Sequence, residues 1–377
     1  MVRPQAAHGL LGRYCLLPLN MAATIATAAS PRKCRVLGNP REHIHSGRPL
    51  GCDQRVGDTL GGFADTGRNR ALGSRRVRPL DQDLSMNAPL RATPYPATPP
   101  AHPDEVANLP REEALRRRYG PEVALPPMPA STIVDTLLRH RSVRAFSDQA
   151  LPDGTLEMLV AAGQSAASSS NVQAWSVIAV RDPARKARLS VLAGNQEHIR
   201  RCPLLLLWVA DLARLDRIAA SRDIEPHGTR YLEMLLVGVI DAALAAQNAV
   251  LAAESIGLGT VYIGAMRNEP EKVAAEVGLP ADAMIVFGLC VGFEDPSAQT
   301  ADIKPRLSQR AVLHHEQYSA QSEPADVSAY DQTIAGFQAS QGMRAADWSL
   351  QTAKRVHELR GRERLSEALR ALGFGMR

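Results

Sequence analysis

An α+β fold is the class the sequence predicts, and three observations predict it. Four short runs, WSVIAV, PLLLLWVADL, GTVYIGA and AMIVFGLCVGF, are rich in leucine or β-branched residues and bounded by turn signals, as buried strands are. One stretch from Leu232, LEMLLVGVIDAALAAQNAVLAAESIGLG, is far too long for a strand and apolar nearly all round, which marks a helix covered on every side. From about residue 106 the periodicity becomes orderly, with helical stretches before, between and after these runs, and no internal repeat divides it.

The elements follow in order. After the Pro-rich PPMPAS, Ser131 is an N-cap candidate for a helix whose apolar face is Ile133, Val134, Leu137 and Leu138. LPDGTLEMLVAAGQSA predicts a second helix, capped near Asp153. Two strands come next, then the long helix, with Gly257 in the position just past its end. Asp241, Gln247, Asn248 and Glu254 within that helix argue for a domain core or a subunit interface over a membrane span. Two further strands enclose the short helix EPEKVAAEVG, and the tail from about Ser319 reads as polar, amphipathic helix.

Of 377 residues, 45% are hydrophobic but only 4% aromatic, so the core relies on Leu, Val, Ile and Ala. The net charge of +5 belongs to the leader: residues 1–85 hold 13 Lys and Arg against 6 Asp and Glu, leaving 31 against 33 beyond. A near-neutral folded part lacks the electrostatic footprint of a nucleic-acid binder. The basic leader reads either as a targeting segment or as sequence ahead of a true start at Met86. Residues 1–105 are expected to form an extension without stable structure, and 106–377 the folded domain. Cys15, Cys34 and Cys52 lie in the leader; Cys202 and Cys290 sit in apolar surroundings and read as buried, reduced thiols of a cytoplasmic protein.

Several chemistries fall away. In GLGTVYIG the glycines follow a helix and open a strand, the reverse of a dinucleotide-binding turn. There is no P-loop lysine motif, no G-x-S-x-G and no H-E-x-x-H, and the serine run SASSSN has no matching His and acid. Four polar clusters remain in apolar sequence: HRSVR (140–144), SSSNVQ (168–173), GNQ (194–196) and KPRLS (304–308). Singly, each has a plain explanation, such as a dipole-complementing helix end or an Arg144–Asp148 ion pair. Jointly, His140, Arg141, Arg144, Lys304 and Arg306 suit a phosphate, and Gln196 suits the edge of a heterocycle.

The runs HRSVRAFSD, SAASSSNVQAWSVIAV, GNQEHI, LLLLWVADLAR, DAALAAQNAVLAAESIGLGTVYIGAMRN, LPADAMIVFGLCVGF and KPRLSQRAVLHHEQY resemble the flavin-dependent nitroreductase family, in its NADPH-linked, oxygen-insensitive nitroreductase and flavin reductase branch. The resemblance covers residues 131–377 in unbroken order. It implies an α+β fold with a central mixed, mainly antiparallel sheet flanked by helices, and an intertwined homodimer with FMN at the subunit interface. It also implies NADPH or NADH as co-substrate and a small-molecule acceptor, reduced in a ping-pong cycle of two-electron steps. No protein side chain moves the hydride. By motif, His140, Arg141, Ser142, Lys304 and Arg306 would hold the FMN phosphate, and Arg144 would sit beside N1 and O2 of the ring. Gln196 would bond the pyrimidine edge, and Ser168 and Ser170 would line the ribityl chain and substrate face. Ile263 and Gly264 would present backbone groups to N5 and O4, with Arg267 near the phosphate end.

Two departures from the family pattern stand out. Ser308 replaces the proline that often closes KPRLP, and Gln341 in ASQGMR stands where close relatives place an arginine for the 2′-phosphate of NADPH. Arg344 is the candidate to replace it, with Arg360 or Arg362 as the second positive contact. The expected activity is reduction of nitroaromatics, quinones or related acceptors. A flavin reductase supplying reduced FMN to a monooxygenase is the first alternative, and a low-turnover flavin-binding sensor the second.

Overall fold

The computed structural model describes residues 102–121 and 125–377, which fall in one compact unit. The leader's cysteines and Met86 lie outside the described residues. Helical structure begins at α1 (Pro103–Ala107) and α2 (Arg111–Tyr119), slightly ahead of residue 106, the expected domain start. Val106 and Ala114 anchor this pair by packing with the fully buried Ile303.

In α3 (Thr132–Leu138) the Ser131 hydroxyl accepts from the Val134 N–H at 3.3 Å, which confirms the cap. The helix stops at Leu138, so HRSVR is extended chain rather than a helix end. For α4 (Thr155–Gln164) the cap is Gly154 at φ 78°, not Asp153. There follow β1 (Trp175–Val180), α5 (Pro183–Leu192), α6 (Glu197–Arg201), β2 (Leu204–Asp211) and α7 (Leu212–Ala220). Next come α8 (Leu232–Ser255), β3 (Gly259–Ile263), α9 (Pro270–Val277) and β4 (Ala283–Gly292), then α10 (Glu323–Ser340), α11 (Trp348–His357) and α12 (Leu365–Ala371).

The strands form one sheet in the order β1-β2-β4-β3, antiparallel at every pairing. The expected mixed character reduces to a single parallel bridge, Ser142 to Thr260. All eight residues of β2 are buried, because the sheet is covered on both faces. Its side chains alternate between two cores. Leu204, Leu206, Trp208 and Ala210 meet α4 and α8 on one face, while Leu205, Leu207 and Val209 meet Leu189, Ile199 and Val273 on the other. Cys202 and Cys290 are free and fully buried, and burial raises the Cys290 thiol well above its ordinary value.

α8 is long and apolar enough to cross a membrane by composition. Here it packs on the sheet through Leu235, Val237, Ala242, Ala245, Ala249 and Ala253, and its end is made by Gly257 at φ 80°. One side stays uncovered within the protomer: Leu232, Leu236, Ile240 and Leu244, four residues apart, are 44–54% exposed.

Candidate anion and cofactor site

The HRSVR segment owes its position to its apolar members. Val143 and Phe146 are each 2% exposed, and the Val143 N–H donates to the Thr260 carbonyl at 2.9 Å. The approach is close enough that a Cβ on Gly259 would lie 2.6 Å from Val143, and one on Gly292 2.9 Å from Phe146. In extended chain, burying Val143 turns Arg144 outward. The same logic acts at 303–306: Ile303 and Pro305 are buried, so Lys304 and Arg306 are exposed. The Tyr330 hydroxyl fixes this loop by donating to the Pro305 carbonyl at 2.9 Å.

These two segments bring Arg144, Lys304 and Arg306 together. Lys304 lies below its ordinary value, first through desolvation of its ammonium and then through the fields of Arg144 and Arg306. No carboxylate pairs with any of the three among the described residues; Asp148, the alternative partner for Arg144, faces Arg201 at 3.6 Å. A mutually repelling cation cluster of this kind fits a phosphate dianion.

His198, which sequence reasoning passed over, belongs to the same neighbourhood. Burial and then Arg144 lower its basicity, so the imidazole is neutral at pH 7, and its Nε2 is buried without a hydrogen-bond partner. An orphaned ring nitrogen beside a free guanidinium fits a polar heterocycle edge. The signal was in GNQEHI, two residues past Gln196. Gln196 itself is tied to its own loop, donating from Nε2 to the Ala193 carbonyl at 2.7 Å.

Other expected residues lie elsewhere. Arg141 pairs with Glu294, on the opposite side of the extended segment from Arg144. With Arg139, Val143 and Glu254 it lines a cavity of about 590 Å³ that none of Arg144, Lys304 or Arg306 touches. His140 holds Glu254 at 2.6 Å through Nδ1. The Ser168 hydroxyl donates to Asp241 at 2.8 Å, while Ser170 is exposed at φ 48° with no such tether. Asp241, 1% exposed on α8, also accepts from the N–H groups of Ser169 and Ala174 at 3.2 and 3.1 Å, so it shapes the whole serine loop. An acid in the middle of an apolar helix was its visible signal.

Ile263 closes β3, and Gly264 opens a turn whose far end is Arg267. Arg267 donates to the Val286 carbonyl, and its basicity is lowered by burial and by Arg362 and Arg355. Arg362 in turn donates to Asn268 at 2.9 Å. Gln341 is turned into the fold, its Oε1 accepting from the Asp302 N–H at 3.4 Å.

Residues 137–293 match the nitroreductase family model and residues 304–377 that family's C-terminal domain. An FMN reductase (NADPH) of Bacillus subtilis (strain 168) is 38% identical over 248 residues, 64% of this chain and 97% of its own length. An oxygen-insensitive NADPH nitroreductase of Salmonella typhimurium is 36% identical over 221 residues, 58% of this chain and 88% of its own. Among solved structures, the NfrA1 nitroreductase of B. subtilis superposes with a TM-score of 0.61 at 37% identity, covering 65% of this chain and 99% of that one. The NADPH:FMN oxidoreductase of Vibrio harveyi complexed with NAD+ gives 0.59 at 31%, covering 66% and 100%. With a shared fold and more than a third of residues identical across nearly the full length of a relative, the chain belongs to the nitroreductase family.

Proposed function

We propose that this chain is an FMN-dependent NAD(P)H oxidoreductase acting on small-molecule acceptors, with the flavin phosphate held between HRSVR and KPR. The observation that carries this reading is the meeting of Arg144, Lys304 and Arg306 without a carboxylate partner among the described residues. The chemistry that FMN supplies when bound is two-electron hydride transfer, from NAD(P)H and then to the acceptor.

This chain's own residues bind, orient and stabilise charge. Lys304 and Arg306 bind phosphate from the side of the first segment on which Arg144 emerges; His140 and Arg141, held by Glu254 and Glu294, brace that segment from its other side instead of meeting the anion. Arg144 holds a fixed positive charge beside N1 and O2 of the ring, where negative charge gathers on reduction. Gln196 and the neutral His198 face the polar ring edge. Ile263 and Gly264 offer backbone groups to N5 and O4, Ser170 lines the acceptor side, and Ser168 keeps the loop in place through Asp241. Arg267 flanks the phosphate end. With Gln341 turned inward, co-substrate phosphate falls to Arg344, Arg360 or Arg362. The exposed stripe of α8 forms a homodimer interface, and the buried free thiols suit a cytoplasmic location.

Purified full-length protein should be yellow and release FMN on denaturation, and NADPH or NADH should bleach its absorption. A colourless protein that takes up no added FMN overturns the reading. The 38% identity to an FMN reductase favours a second role, supply of reduced FMN. Faster turnover of free FMN than of nitro compounds would select it.

A further inference from the structure

Helix α2 lies ahead of residue 137, where the family match begins, yet it reaches the floor of the candidate site. Arg118 is 6% exposed and spreads its guanidinium across both segments that carry the cations. Nη2 donates to the carbonyls of Leu138 and His140 at 2.9 and 2.8 Å, and Nη1 donates to the carbonyl of Lys304 at 2.8 Å. Its own carbonyl accepts from the Arg306 N–H at 2.7 Å. The neighbouring Arg117 pairs with Asp302 at 2.8 Å, and Asp302 accepts from the Ile303 N–H at 2.6 Å, which fixes the start of the second segment.

We infer that Arg118 is a positioning residue for phosphate binding, a staple that sets HRSVR and KPR at the separation the anion requires. The inference rests on the reading of 140–144 and 304–306 as the flavin phosphate site. Three points of physics support it. A guanidinium is a rigid planar fork, so bonds to three carbonyls on two segments fix their relative position as no single bond does. A trans peptide carries its N–H opposite its C=O, so drawing the His140 carbonyl toward α2 turns the Arg141 N–H away from α2. Holding Arg144, Lys304 and Arg306 together before the anion arrives works against their repulsion, and buried bonds from behind the backbone supply that restraint.

The test compares FMN with riboflavin, which lacks the phosphate, by titrating each into flavin-free full-length protein. In Arg118→Gln, FMN affinity should fall about tenfold or more while riboflavin affinity holds, and Arg118→Lys should recover only part of the loss. Arg111→Gln is the control: it loosens the same helix where Arg111 bonds Asp135 and the carbonyls of Pro129 and Ser131, so it should lower Tm without changing the FMN-to-riboflavin ratio. In the wild type, where folding is not at issue, FMN but not riboflavin should slow amide exchange across residues 111–119. The inference fails if FMN leaves that exchange unchanged, or if Arg118→Gln folds and keeps the wild-type ratio while Arg306→Ala lowers it. If Arg306→Ala also leaves the ratio unchanged, the phosphate reading itself is what fails.

Discussion

Lys304 is the residue at which the charge of the site can be read by titration. Desolvation, Arg144 and Arg306 hold its ammonium below the ordinary lysine value of 10.5. A bound phosphate dianion favours the protonated form, so binding raises that value and takes up protons in the interval between the two. FMN affinity should therefore weaken as pH rises through the alkaline range toward 10.5, where the phosphate is already fully dianionic. Lys304→Arg, which does not titrate there, should remove the dependence; flat wild-type affinity would contradict the assignment. Residues at this scale were legible where a motif puts charge beside apolar anchors, as at Arg144 and Lys304. Direction was not legible: only the register of the extended chain shows that Arg141 turns to Glu294 while Arg144 turns the other way. The role of Asp241, and Arg118 altogether, was not legible because the partners are 67 or more residues away for Asp241 and as many as 186 away for Arg118.

Among the elements, α8 carries the clearest consequence. Its apolar surround was plain in the sequence, and so were all four strands: burial on both faces leaves nearly unbroken apolar runs in β2, β3 and β4, and the edge strand β1 is marked by its β-branched residues. The short helices α5, α6 and α7 were not, since α6 is only five residues long and α5 and α7 are brief runs broken by basic residues, although Leu212, Leu215 and Ile218 do fall at helical spacing in α7, and α2 was hidden by three consecutive arginines at its end. The sequence asked for cover on every side of α8; among the described residues the stripe Leu232, Leu236, Ile240 and Leu244 stays about half exposed. A second copy of the helix supplies it in the homodimer proposed here. Light scattering should give twice the protomer's 40.7 kDa. Ile240→Glu with Leu236→Glu should give monomers that lose bound flavin. A wild-type monomer at micromolar concentration, or an undisturbed dimer in the double variant, would contradict this use of α8.

For the whole molecule, binding and redox tuning are assigned to different cations brought to one place by distant parts of the chain. Lys304 and Arg306 meet a phosphate whose charge is the same in both redox states, whereas Arg144 meets a ring whose charge changes. Their substitutions should therefore fail differently. Arg306→Ala should weaken FMN retention by about ten- to a hundredfold, with the rate restored by excess FMN. Arg144→Ala should lower the bound flavin's potential and slow its reduction by a comparable factor even at saturating FMN. Single-turnover flavin reduction by NAD(P)H, measured across an FMN titration in both variants, tests this division most directly. The account predicts rescue by FMN for Arg306→Ala and none for Arg144→Ala; full rescue of Arg144→Ala, with wild-type rate and potential, would contradict it.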